Sequence, residues 1–140
     1  CTNAKLPPAL PPHPPPPPAP SPLQPFGTLN FDATLRTHAE AQAHCYSYGG
    51  KLVEIRNANQ QQAVETTLSG VSEIFVWVGG IRGAAPPATW AWDDGSLMSI
   101  TYSNWYPGEP SSDAAANGNL CITVVKDTDW NYRWNDGDCS

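Results

Sequence analysis

The chain has 140 residues with 16 Pro, 6 Trp, 4 Cys and a formal net charge of -6, a length that fits one ordinary domain. Twelve of the sixteen prolines lie between Pro7 and Pro25, whereas every Trp, Tyr and Phe lies after them, so a proline tract precedes about 115 residues able to build a core. The 13 acidic against 7 basic side chains argue against a nucleic-acid partner, no run of 18 apolar residues exists to span a membrane, and a wholly disordered chain is excluded.

Leu6 to Pro25 reads LPPALPPHPPPPPAPSPLQP, which cannot form helix or sheet because proline lacks the N–H and fixes φ near the polyproline II value. The expectation for residues 1–25 is a stiff stalk, whose twenty residues from Leu6 would reach roughly 60 Å. Its Ser-Pro and Ala-Pro steps beside oligoproline resemble the hydroxyproline-rich glycoproteins of plant and algal walls and flagella. That resemblance implies a glycosylated rod.

From Phe26 the pattern changes. Thr28 to Phe31 is a short strand candidate. Thr37 to Gly50 predicts a helix of about three turns with Ala39, Ala43, Tyr46 and Gly50 on one stripe and Gly49-Gly50 as its stop. Lys51 to Ile55 reads as a strand. Asn57 or Asn59 can cap a second helix carrying Val64 and Leu68, and Gly70 ends it. Ile74 to Val78 predicts a buried strand running into Gly79-Gly80, and Leu120 to Val125 another. Between them, Gly83 to Asn119 is rich in Gly, Pro, Ser, Asn and Asp and is anchored by Trp90, Trp92 and Trp105, and a long loop of this kind in a small domain is usually functional.

Eight of the thirteen acids fall from Asp93 onward, opposed only by Lys126 and Arg133, so a cation is the natural partner of this third. Asp93-Asp94-Gly95 reads as a turn, Asp127 and Asp129 as solvated acids, and His38 and His44 as ordinary polar or boundary positions. Cys1, Cys45, Cys121 and Cys139 lack zinc-finger spacing, and their even number suggests disulfides in an oxidising, extracellular setting, with all three pairings open. No nucleophile–base pair, phosphate loop or catalytic metal spacing appears, which points away from an enzyme.

The order Cys45, Gly49-Gly50-x-Leu52, Trp77-Val78-Gly79-Gly80, Trp90-x-Trp92-x-Asp94-Gly95, Asn104-Trp105-x-Pro107-Gly108-Glu109-Pro110, Cys121 and Trp134-Asn135-Asp136-x-x-Cys139 resembles the C-type lectin-like domain over residues 26–140. The resemblance implies an α+β fold with two helices, two small antiparallel sheets and a long loop that holds calcium and, in many members, a sugar. It implies calcium ligands at Glu109, Ser111, Asn119, Asn135 and Asp136, with Glu109, Asn119 and Asn135 also bonding sugar hydroxyls and a cis Glu109–Pro110 peptide. Calcium takes six to eight oxygen ligands in irregular geometry, and such side chains supply oxygen. In the family the Glu-Pro-Asn form of the loop goes with mannose-type sugars; here the triplet is Glu109-Pro110-Ser111, whose Glu implies the mannose-type arrangement, while Ser111 and Asn119 stand where stronger ligands are usual and lower the expected affinity. Asp113 is a candidate replacement charge.

By the same resemblance Cys121 pairs with Cys139, and Cys45 pairs with a cysteine on a final strand that this chain lacks. Cys45 and Cys1 are then left to bond within the chain or between further copies in a linear array. Two functions follow: an extracellular, calcium-dependent carbohydrate-binding module on a polyproline stalk, or a structural component of a glycosylated fibre or matrix whose lectin-like domain serves assembly.

Overall fold

The computed structural model describes residues 27–83, 89–98, 102–112 and 118–140. The expected stalk, Cys1 and Asp113 lie outside them.

Helix α1 spans His38–Ser47. Thr37 Oγ1 accepts from the Glu40 amide at 3.2 Å while the Glu40 carboxylate accepts from the Thr37 amide at 2.9 Å, a reciprocal cap that satisfies two donors at the helix start. The expected apolar stripe is not the packed one: Ala39, Ala43, Tyr46 and Gly50 are exposed. His38 is the buried residue of α1, and its Nε2 lies 3.0 Å from the Val78 carbonyl, which can only accept, so that nitrogen carries the proton. Its ring meets Trp77 edge-on at 5.5 Å. Small alanines gave the periodicity no weight, and a hydrogen-bonded imidazole took the contact instead. His44, by contrast, stands 2.7 Å from Asp32 near the surface.

Helix α2 spans Ala58–Leu68 with Asn57 as its cap, accepting from the Gln60 amide at 2.9 Å. Gln61, Val64 and Leu68 form its buried face. The segment Lys51 to Ile55 belongs to no strand; the Gly79 amide donates to Val53 O at 2.8 Å, and the burial of adjacent Glu54 and Ile55 breaks the alternation a strand would show. Thr28 to Phe31 is likewise not a strand, although Leu29 and Phe31 pack on the core.

Strands β1 (Phe75–Arg82), β2 (Trp90–Trp92), β3 (Asn119–Val125) and β4 (Arg133–Asp138) pair antiparallel in the order β2-β1-β3-β4. Among the described residues this is one sheet where the resemblance implied two. The reason is the continuity of β1: its register with β3 breaks between Trp77 and Ile81, but the chain runs on to pair Gly80–Arg82 with β2. Gly80 sits in that break because a Cβ there would stand 2.5 Å from Ile122 Cδ1.

Alternation gives the sheet two faces. Val78, Ile122, Val124 and Trp134 point to one face and join Ile55, Val64, Leu68 and Trp92 in the core. Trp77, Thr123 and Asn135 are register partners on the other. No helix among the described residues is long and apolar enough to cross a membrane.

Candidate functional site

Trp134 is fully buried and organises the loop side of the sheet. Trp92, Trp105 and Tyr102 meet its ring at 5.8, 5.7 and 6.0 Å, all near edge-on, the arrangement aromatic quadrupoles favour. Its indole N–H donates to Gln61 Oε1 at 3.0 Å, and the Gln61 amide donates to the Tyr132 carbonyl at 3.0 Å. Asn104 Nδ2 donates to the same carbonyl at 3.1 Å. Tyr132 and Asn131 hold φ of 60° and 48°, a left-handed region costly for a tyrosine, so the two amides fix a turn that would otherwise relax. Within it, Asp127 Oδ1 accepts from the amides of Asp129 and Trp130, so Asp127 is a turn cap rather than a solvated acid. Gln61 went unnoticed in the sequence, yet its signal was there: a polar side chain on the stripe with Val64 and Leu68 requires a buried partner.

The loop before the site runs along β4. Trp134 N donates to Asn104 O at 2.8 Å and Tyr106 N to Trp134 O at 3.0 Å, giving Trp105 a parallel bridge to Trp134. Tyr106 stacks on Trp130 at 4.0 Å. The Glu109 amide then donates to Tyr106 O at 2.8 Å around Gly108, whose φ of 98° suits glycine, and the Glu109–Pro110 peptide is cis.

This path brings Ser111 onto Asp136. The Ser111 amide donates to Asp136 Oδ1 at 2.8 Å and its hydroxyl to Oδ2 at 2.7 Å, so a carboxylate only 3 % exposed has both oxygens engaged. Asn135, next in the chain, pairs with Thr123, and strand alternation sends it to the opposite face of the sheet. Asn119 opens β3 opposite Asp138, and its side chain lies outside the described set. The structure therefore brings Ser111, two residues after Glu109, onto Asp136 at one loop–strand junction, while Asn135 is the register partner of Thr123.

The donor chemistry suits a hard cation in kind, since carboxylate and hydroxyl oxygens are calcium's preferred ligands. No group of three or more His, Cys, Asp or Glu is placed to hold a metal ion among the described residues. The rest of a coordination sphere would have to come from Asn119, backbone carbonyls and water.

Two further expectations can be placed. Cys121 and Cys139 are bonded, while Cys45 has no disulfide partner among the described residues, and burial pushes its thiol pKa up. Asp93-Asp94-Gly95 is a turn, with Gly95 at φ 81° and the Ser96 amide donating to Asp94 Oδ1. The Ser96 bonds, with Arg56 beside them, lower the Asp94 pKa to about 2.

Comparison with known proteins agrees with this architecture. The family model for the lectin C-type domain matches residues 34–140. Ladderlectin of Oncorhynchus mykiss is 31% identical over 113 residues, covering 78% of this chain and 55% of the relative. Among solved structures, the C-type lectin CEL-I from Cucumaria echinata superposes with a TM-score of 0.63 at 25% identity, over 78% of this chain and 79% of that one. A calcium-independent type II antifreeze protein superposes with a TM-score of 0.56 at 25% identity, over 74% and 70%. The chain thus spans about half the length of ladderlectin, and 39% of human proteoglycan 3, another relative.

Proposed function

The chain belongs to the lectin C-type domain family, and from that premise we propose that it is an extracellular carbohydrate-binding module, with its sugar site where the Glu109–Ser111 loop meets Asp136. The observation that carries this reading is the Ser111–Asp136 pair, which holds the loop carrying Glu109 against the end of β4. Glu109, Ser111 and Asp136 would hold a calcium ion there, and the ion's free positions would accept two vicinal sugar hydroxyls. Glu109 accepts a hydrogen bond from one of those hydroxyls, and its place before Pro110 supports a mannose-type preference. Asp136 supplies buried negative charge, and Ser111 keeps its carboxylate oriented. The core aromatics around Trp134 keep the loop in position before any ligand arrives, which lowers the ordering cost of binding. Display on the proline-rich segment completes the proposal.

A second reading starts from the same pair. With both Asp136 oxygens engaged by Ser111 and Asn135 on the other face, the loop is already closed by protein groups, and the domain then serves assembly of a glycosylated matrix without calcium. The likeness to an antifreeze protein described as calcium-independent is in keeping with it.

A thermal-shift titration separates the two. Binding to the folded state raises the melting temperature, so the first reading expects a rise in millimolar calcium that chelator reverses. An unchanged melting temperature at every calcium concentration would leave the second.

A further inference from the structure

Building on the sugar site assigned above to Glu109, we propose that the stacked rings of Tyr106 and Trp130 form a second subsite, which packs the C–H face of a neighbouring pyranose ring of an oligosaccharide. The two ring centroids lie 4.0 Å apart with their planes 28° from parallel. Both residues are half-buried, and among the described residues neither belongs to the core cluster or to the side chains packed against it. Trp90, Trp92, Trp105 and Trp134 all do. An aromatic pair held outside the core gives up burial that large rings ordinarily gain on folding, which points to another use for it.

The turn that carries Trp130 is firmly built. Asp127 Oδ1 accepts from the Trp130 amide at 2.7 Å, Asp127 O from the Asn131 amide at 2.9 Å, and Trp130 O from the Arg133 amide at 3.1 Å. Asn131 and Tyr132 follow in left-handed backbone, which Gln61 and Asn104 secure through the Tyr132 carbonyl. Backbone strain of that kind persists where the surroundings over-determine it, and it clusters at ligand sites. Tyr106 is fixed from the other side, since its amide donates to Trp134 O at 3.0 Å. Both rings are thus in position before a ligand arrives, and binding costs little ordering entropy.

The surroundings select a neutral, hydroxyl-rich ligand. Thr128, Asp129, Asn131 and Arg133 are exposed around Trp130, as are Pro107 and Gly108 beside Tyr106. Among the described residues no large apolar side chain is exposed in these two segments, whereas a protein partner needs a wider apolar patch around such rings. Lys126 and Arg133 offset Asp127 and Asp129, so no net charge chooses an ionic partner. A pyranose ring matches both parts of the subsite, with C–H groups on one face for the aromatics and hydroxyls around its rim for Asp129, Asn131 and Arg133. The backbone joins this subsite to the first. The Glu109 amide donates to Tyr106 O at 2.8 Å around Gly108, so the loop that carries Glu109 starts from the aromatic pair. A single sugar fills one subsite, and an oligosaccharide reaches both.

The test titrates the full chain in calcium with methyl α-mannoside and with branched mannopentaose, read by calorimetry. The pentasaccharide should bind at least about tenfold tighter, the scale of one aromatic anchor. Trp130→Ala should close that gap by weakening the pentasaccharide alone, and Trp130→Phe, which keeps a ring against Tyr106, should restore most of it. Tyr106→Ala provides the same readout should Trp130→Ala unfold the domain. Equal affinities in the unchanged chain, a gap that survives both alanine substitutions, or a monosaccharide weakened as much as the pentasaccharide would each overturn the second subsite and leave the first standing. Self-association of the chain that Trp130→Ala abolishes would assign the pair to a protein contact and overturn it as well. Binding of neither sugar would overturn both subsites together.

Discussion

The two faces of one sheet have been finished differently. On the Trp134 face three tryptophans, a tyrosine and α2 fill the space, and polar groups such as Gln61 Nε2 and Trp134 Nε1 find partners. On the Trp77 face a single helix covers one aromatic, and Phe75 and Leu35 stand in solvent. Strand alternation distributes adjacent residues between these environments, and it sends Asp136 to the loop side and Asn135 to the Trp77 side. The difference teaches that adjacent residues of one sequence motif can face different environments.

The contrast is broken most severely by Trp134→Ala. It removes the ring on which Trp92, Trp105 and Tyr102 converge and strands Gln61 Oε1, so chemical denaturation should show a loss of about 3–5 kcal/mol. Gln61→Ala keeps the ring but leaves a buried indole N–H unsatisfied and frees the Tyr132 carbonyl from one of its amides. The expected loss is about 1–3 kcal/mol, read from the same experiment.

Asp93 gives a prediction of opposite sign. Burial, the largest influence, pushes its carboxyl above the ordinary value of 3.8, against the pull of Gln42, His38 and Lys51. A raised folded-state pKa favours the fold where the group is protonated, and that stability is lost as pH rises through the folded value. Asp93→Asn should therefore raise the melting temperature at neutral pH by a few degrees, and the advantage should vanish below about pH 4, where the native residue is itself neutral. The smallest effect belongs to the open face. Phe75→Ala should change folding stability by no more than about 0.5 kcal/mol, since little packing is lost at an exposed site, and a larger loss would show that this face is packed after all.

Much of this organisation was legible in the residues. Helix α2 announced its cap and apolar stripe, and the two central strands announced themselves by β-branched and aromatic runs. Motif order supplied what periodicity could not, including the Cys121–Cys139 bond. The misreadings have physical causes. The stripe on α1 was built of alanines too small to dominate packing, while the histidine that buries itself needed the Val78 carbonyl, forty residues away, to make sense. Lys51 to Ile55 has strand composition, but Glu54 is drawn inward by Lys51 and Arg56 at 2.7 and 2.6 Å, and the segment gives up alternation to make those pairs. In the site, Ser111 read as a weak ligand. The structure adds that its amide and hydroxyl clasp Asp136, a contact that no spacing in the sequence displays.

The central claim, that Glu109 and its loop bind a glycan with the help of calcium, is tested most directly by retention of the full chain on mannose resin in calcium, repeated with chelator and with Glu109→Ala. The account predicts retention in calcium that is lost with chelator and lost again in Glu109→Ala. Retention that survives both chelator and Glu109→Ala, or no retention in calcium at all, would contradict it.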